Sequence, residues 1–123
     1  MPLKTILIED NQTIRENLVP TLSELANARV IAIAEGAGEA IEALDLHEQE
    51  WDLAIVDLFL KEGSGLSVLR AARNRSPHQH MLVLTNYPTA EIRRRCLALG
   101  ADGVFDKSTE LEAFFDLCRS YGG

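Results

Sequence analysis

The chain has 123 residues with 46% hydrophobic side chains, the size of one domain and enough apolar content for one continuous core, so a single domain over residues 1–123 is expected. Its 19 acidic against 12 basic side chains give a formal net charge of −7, which repels a phosphate backbone, argues against direct nucleic-acid binding and suits a hard divalent cation. No apolar run approaches the ~18 residues of a membrane span, and the first apolar stretch, in MPLKTILIEDN, stops at an acidic pair unlike a signal peptide, so a soluble, cytoplasmic chain that does not engage membranes is expected.

Short apolar runs alternate with helical patterns along the chain, the mark of an α/β domain built on a parallel sheet. The first run, Thr5 to Ile8, ends at Glu9-Asp10-Asn11. Asn11 is a candidate N-cap for a helix with Ile14, Leu18, Leu22 and Leu25 on one stripe. Pro20 falls inside that helix, where it donates no hydrogen bond and crowds the carbonyl of Glu16, so a kink or local break is predicted there. Val30 to Ala34 is the second strand. The Gly36-Ala37-Gly38 turn after it is no dinucleotide loop, because Ile41 stands at the third glycine position of GxGxxG and would spoil close helix packing. It leads into a short helix with Ile41 and Leu44 inward.

The stretch WDLAIVDLFL supplies the third strand, Leu53 to Asp57. Its unbroken apolar run marks a strand buried on both faces, and Trp51 is expected to pack at its entrance. KEGSG (61–65) is a turn whose Ser64 caps a helix carrying Leu66 and Leu69, and Pro77 closes the following loop. Met81 to Leu84 is the fourth run, ended by Thr85. Thr89 is the candidate cap of a helix with Ile92, Cys96 and Leu99 inward, and Gly100 stands where a left-handed C-cap belongs. The fifth strand is Gly103 to Asp106, with Lys107 at its end. Thr109 and Glu112 have capping-box spacing before a last helix striped by Leu111, Phe114, Phe115 and Cys118. Tyr121-Gly122-Gly123 is expected to fray. Cys96 and Cys118 lie on helical apolar stripes and form no CxxC pair, so both read as reduced packing residues.

In a right-handed doubly wound sheet the C-terminal strand ends share one edge. Glu9, Asp10, Asp57, Thr85 and Lys107 therefore converge. Singly, each has a bland explanation as a cap, a turn residue or a surface charge; their convergence reverses that reading. Like-charged carboxylates in a partly dehydrated cleft repel unless a cation joins them, and Mg²⁺ is the small hard ion that prefers carboxylate oxygens and water. The hydroxyl and ammonium point to a visiting anion. A phosphoryl group fits, because its transfer is catalysed mostly by positioning and by neutralising its oxygens. The nucleophile would be a carboxylate, with Asp57, the lone acid on the central strand, the first candidate and Glu9 and Asp10 left to hold metal.

Four motifs stand in order: LIEDN (7–11), VDLFLKEGSG (56–65), LTN (84–86) and GADGVFDKS (100–108). With them the chain resembles the receiver domain of two-component response regulators, from about Lys4 to about Arg119. The resemblance implies a flavodoxin-like (βα)5 three-layer sandwich whose parallel five-stranded sheet runs in the order 2-1-3-4-5. It implies that Asp57 is the phosphoacceptor, and that Asp10, Asp57 and the backbone carbonyl of Phe59 ligate Mg²⁺, with Glu9 acting through a water. Thr85 would swing toward the phosphoryl group and Lys107 would pair with its oxygens. The donor would be a sensor histidine kinase, a phosphotransfer protein or a small phosphodonor, and the response a shift of the loop after Thr85 and the fourth helix. Catalysis would be confined to the protein's own phosphorylation and dephosphorylation.

The resemblance also implies that downstream effectors, or the chain's own output domain, read the fourth helix, fifth strand and fifth helix. That surface would carry a phosphorylation-dependent homodimer in which Arg93, Arg94 or Arg95 meets Glu110, Glu112 or Asp116. One alternative is the receiver portion of a longer transcriptional regulator, with a DNA-binding domain after Gly123. Another is an aspartyl-phosphate phosphatase, which wants a second acid where Phe59 stands. Val104 occupies the position of the usual aromatic switch, with Phe105 beside it; Lys61 and Ser108 replace frequent prolines, and Asn86 a small residue. Phe59 and Tyr87, two beyond Asp57 and Thr85, stand where side chains shield an acyl phosphate from water, so slow self-dephosphorylation is expected. His47, His78 and His80 show no ligand spacing and read as surface or packing residues.

Overall fold

The computed structural model describes residues 2–122. Its elements alternate along the chain: β1 (Leu3–Ile8), α1 (Gln12–Ala26), β2 (Ala28–Ala34), α2 (Ala37–Leu46), β3 (Leu53–Val56), α3 (Gly65–Ala71), β4 (His80–Thr85), α4 (Ala90–Ala98), β5 (Gly103–Asp106) and α5 (Leu111–Gly122). The strands form one parallel sheet in the expected order, β2-β1-β3-β4-β5. Among the described residues no helix is long and apolar enough to cross a membrane.

Side chains alternate across a strand, so each central strand feeds two cores. Ile6 and Ile8 of β1, Ala54 and Val56 of β3, and Met81 and Val83 of β4 pack with Leu44 of α2, Val68 and Leu69 of α3 and Cys96 of α4. Leu3 and Leu7, Leu53 and Ile55, and Leu82 and Leu84 face the other way, against Leu18 and Leu22 of α1 and Phe114, Phe115 and Cys118 of α5. The resulting three layers fix the strand ends rigidly. Both cysteines are free and buried, and burial pushes the Cys118 thiol up to about 12, as expected for inert packing residues.

The caps explain where the helices start and stop. Asn11, Ser64 and Thr89 accept from the backbone N–H of Ile14, Leu66 and Ile92 respectively, each satisfying a donor that the helix itself leaves free. Gly100, at φ +100°, closes α4: its N–H donates to Leu97 and the N–H of Ala101 to Cys96, the paired bonds of a Schellman ending.

Four expectations need correction. α1 runs through Pro20 without a break. Pro20 lies on the exposed face, where water can reach the Glu16 carbonyl that lost its donor. Leu25 is exposed, and the apolar stripe continues through buried Ala26 instead. The Thr109–Glu112 capping box is replaced by Glu110, whose carboxylate accepts from the N–H of Asp106 (2.9 Å) while its carbonyl accepts from Phe114. The tail does not fray through Gly122: α5 extends to it, and Tyr121 stacks on His80 with ring centroids 3.7 Å apart. Gly123 lies outside the described residues.

Candidate functional site

Glu9, Asp57 and Lys107 each stand one residue past a strand, yet each is still held by the ladder. The N–H of Glu9 donates to Ala34, that of Asp57 to Ile8 and that of Lys107 to Thr85. Asp57 thus falls just outside β3 and not within it, but stays in register with β1. Backbone pairing sets the positions of these side chains to within the precision of the sheet.

The convergence expected from the sequence is present. Lys107 Nζ lies 2.6 Å from Glu9 Oε1 and 3.1 Å from Asp57 Oδ2. Thr85 Oγ1 donates to the other oxygen of Asp57, Oδ1, at 3.1 Å, which also accepts from the N–H of Phe59 at 3.3 Å. Glu9, Asp10 and Asp57 each contribute a carboxylate oxygen to a group lying within 4.8 Å of one another. Glu9 and Asp57 are buried, whereas Asp10 is half-buried. The sequence paired Lys107 with an incoming phosphoryl group; here it bridges two carboxylates.

One ammonium does not balance this cluster. Burial, then the neighbouring Asp57 carboxylate, push the Glu9 carboxyl up to about 7, against the opposing pull of Lys107. Glu9 Oε2 is buried and has no hydrogen-bond partner among the described residues. An orphaned buried carboxylate oxygen beside two further carboxylates is a site that gains from a proton or a hard cation. The residues present therefore fit a divalent ion of the Mg²⁺ type.

Around this cluster the loops are tied together. The carbonyl of Glu62 accepts from the N–H of Ala37 (2.8 Å), and its carboxylate accepts from Gly38 (3.1 Å), capping α2, whose Gly36 offers no side-chain cap. Phe59 and Tyr87 are 68% and 80% exposed and stand two residues after Asp57 and Thr85 respectively. Tyr87 takes φ +48° immediately before Pro88, a strained backbone for an aromatic residue, of order 1–3 kcal/mol.

On the β5 side, Val104 packs toward α4, whereas Phe105 points to the opposite face against Phe114, 5.7 Å centroid to centroid. Strand alternation therefore prevents Phe105 from standing in for an aromatic at 104. Arg93 of α4 donates to the Val104 carbonyl (3.0 Å) and to Glu110 (2.8 Å), and that bond from Arg93 is the first cause holding the Glu110 carboxyl below its ordinary range. Arg93 and Glu110 are thus joined within one chain. Asp116 pairs with Arg119. His80 lies 3.6 Å from Asp102, and His47 3.8 Å from Glu50.

Sequence reasoning missed Arg15, Glu35 and Glu62, which link neighbouring loops. Their partners are backbone atoms and side chains brought close only by strand order, and no local spacing signals such a pair.

The chain matches the family described as response regulator receiver domain over residues 5–119. It is 28% identical over 101 residues to the DNA-binding transcriptional activator DevR/DosR of Mycobacterium tuberculosis, covering 82% of this chain and 46% of that one. It is 30% identical over 121 residues to the response regulator MprA of a Mycobacterium species, covering 98% of this chain and 50% of that one. The chain thus spans about half the length of these relatives. Its fold superposes with a TM-score of 0.84, at 16% identity, on a DNA-binding response regulator of the LuxR family from Staphylococcus aureus, covering 98% of this chain and 99% of that one. The chain belongs to the receiver domain family of two-component response regulators.

Proposed function

We propose that residues 1–123 form one receiver domain that accepts a phosphoryl group on Asp57, with Mg²⁺, from a sensor histidine kinase, a phosphotransfer protein or a small phosphodonor. The observation that carries this reading is the division of Asp57 between two donors, Lys107 on Oδ2 and Thr85 on Oδ1, beside two further carboxylates. One carboxylate oxygen forms the new P–O bond. The donor's P–N or P–O bond breaks, and the leaving group carries off the electron pair and takes up a proton. Glu9, Asp10, Asp57 and the Phe59 carbonyl would hold the ion, which when bound neutralises charge on the phosphoryl oxygens. Lys107 would then pair with one phosphoryl oxygen and Thr85 donate to another.

The output is signal relay by protein contacts in the cytoplasm, without catalysis beyond the domain's own phosphorylation and dephosphorylation, and without direct binding to nucleic acid or membrane. A downstream effector, or an output domain of the same protein, would read α4, β5 and α5. In a phosphorylation-dependent homodimer through that face, Arg94, Arg95 and Glu112 would supply the cross-pairs, since Arg93 and Glu110 already hold each other.

The test is incubation with a small phosphodonor and Mg²⁺ followed by intact mass. The expected result is one phosphoryl mass gained by the wild type, not gained when a chelator is present from the start, and absent in Asp57→Asn. A gain that survives Asp57→Asn would overturn the assignment.

A further inference from the structure

We infer that Arg15 is a positioning residue for cation binding: it locks the Glu9–Asp10 peptide and joins the loops after β1, β2 and β3 into one frame around the carboxylates. This inference rests on the Mg²⁺ reading above. Arg15 stands in the first turns of α1, and its side chain is only 16% exposed. Nη1 donates to the carbonyl oxygen of Glu9 (2.9 Å) and to Glu35 Oε2 (3.0 Å). The Glu9 carbonyl belongs to the peptide that links Glu9 to Asp10, so this bond sets the plane from which both acids depart. Glu35 follows β2, and its own carbonyl accepts from the N–H of Lys61 (3.2 Å) in the loop that carries Phe59. Glu62 closes a second tie between the same two loops through Ala37 and Gly38.

The frame answers a physical need. Three carboxylates within 4.8 Å of one another repel, and their loops would spread unless something outside the cluster held them. Arg15 does this from behind, through a backbone carbonyl, without neutralising the carboxylates that a cation requires.

Charge and positioning predict opposite signs. A guanidinium beside a cation site repels the cation, so if Arg15 acted only through its charge, removing it would tighten Mg²⁺ binding. If it positions the acids, removing it loosens binding, and loss of such an outer support costs roughly tenfold or more in metal affinity. The experiment is calorimetric titration of MgCl₂ into the full chain, wild type against Arg15→Met, at a temperature where circular dichroism shows both folded. The expected result is a dissociation constant raised roughly tenfold in Arg15→Met. Arg15→Lys, which keeps a donor and the charge, should recover most of that loss, and Arg15→Gln should fall between the two. Binding by Arg15→Met or Arg15→Gln as tight as wild type, or tighter, would overturn the inference while leaving the Mg²⁺ reading intact. A wild type that gives no Mg²⁺ heat would overturn that reading and this inference with it.

Discussion

Replacing Lys107 with Met tests the charge balance of the site, because Met keeps an apolar stem against Leu18, Leu84, Leu111 and Phe115, which line a groove with Lys107, and removes only the ammonium. Lys107 is the cation paired with Glu9 and Asp57, whose side chains are 3% and 9% exposed. Even with Lys107 present, Glu9 is carried from 4.5 to about 7, which corresponds to roughly 3 kcal/mol of disfavoured charge. Removing one partner of a buried pair typically costs about 3–5 kcal/mol, but protonation of Glu9 limits that cost at low pH. The expected loss is therefore about 3 kcal/mol at pH 8 and about 1.5 kcal/mol at pH 5.5, where Glu9 already carries a proton and only the pair with Asp57 is lost. Urea unfolding reads this as a midpoint lowered by roughly 1.5 M at pH 8, for a slope near 2 kcal/mol/M. Saturating Mg²⁺ should return most of the loss. An equal loss at both pH values, or no recovery with Mg²⁺, would refute this account of the cluster.

Glu9→Gln probes the same balance from the other side. The folded-state pKa of Glu9 is raised, so the folded protein holds a proton that the unfolded chain has shed, and stability falls as pH rises from 4.5 through about 7. Without Mg²⁺ the wild type should therefore lose stability relative to Glu9→Gln across that window, read by urea midpoints, with the difference abolished by Mg²⁺. A difference that does not change with pH would contradict the shift. Gly65→Ala should cost about 3 kcal/mol or more, since a Cβ there would overlap the Asp57 carbonyl and come within 2.8 Å of Leu58 Cα; an unchanged melting temperature would show that the loop gives way. Phe59→Asn should shorten the lifetime of the phosphorylated protein, followed by phosphate release, because a polar side chain in place of the exposed ring admits water to the acyl phosphate.

The sheet was legible because buried parallel strands are short apolar runs, and the first, third and fourth were followed by caps that the structure uses: Asn11, Ser64 and Thr89. Strand order came from the resemblance, since periodicity says nothing about which strands are neighbours. Sequence placed Glu9, Asp10, Asp57, Thr85 and Lys107 together because each follows a strand, and all strands point one way. It assigned Lys107 to an incoming anion, whereas the ion pairs with Glu9 and Asp57 follow from distances that only the folded sheet sets. Arg15 and Glu35 were invisible for the same reason: one lies on a helix, the other after the edge strand, and nothing in their spacing pairs them. Pro20 misled because its cost depends on which side of α1 it faces, and that side is solvent.

Whether Asp57 takes the phosphoryl group is decided by trapping the acyl phosphate. The wild type is phosphorylated with a small phosphodonor and Mg²⁺, reduced with borohydride, which converts an aspartyl phosphate to homoserine, and sequenced by tandem mass spectrometry. Homoserine is expected at position 57 alone. Homoserine at position 10, or none at 57 in protein that has gained phosphoryl mass, would contradict it.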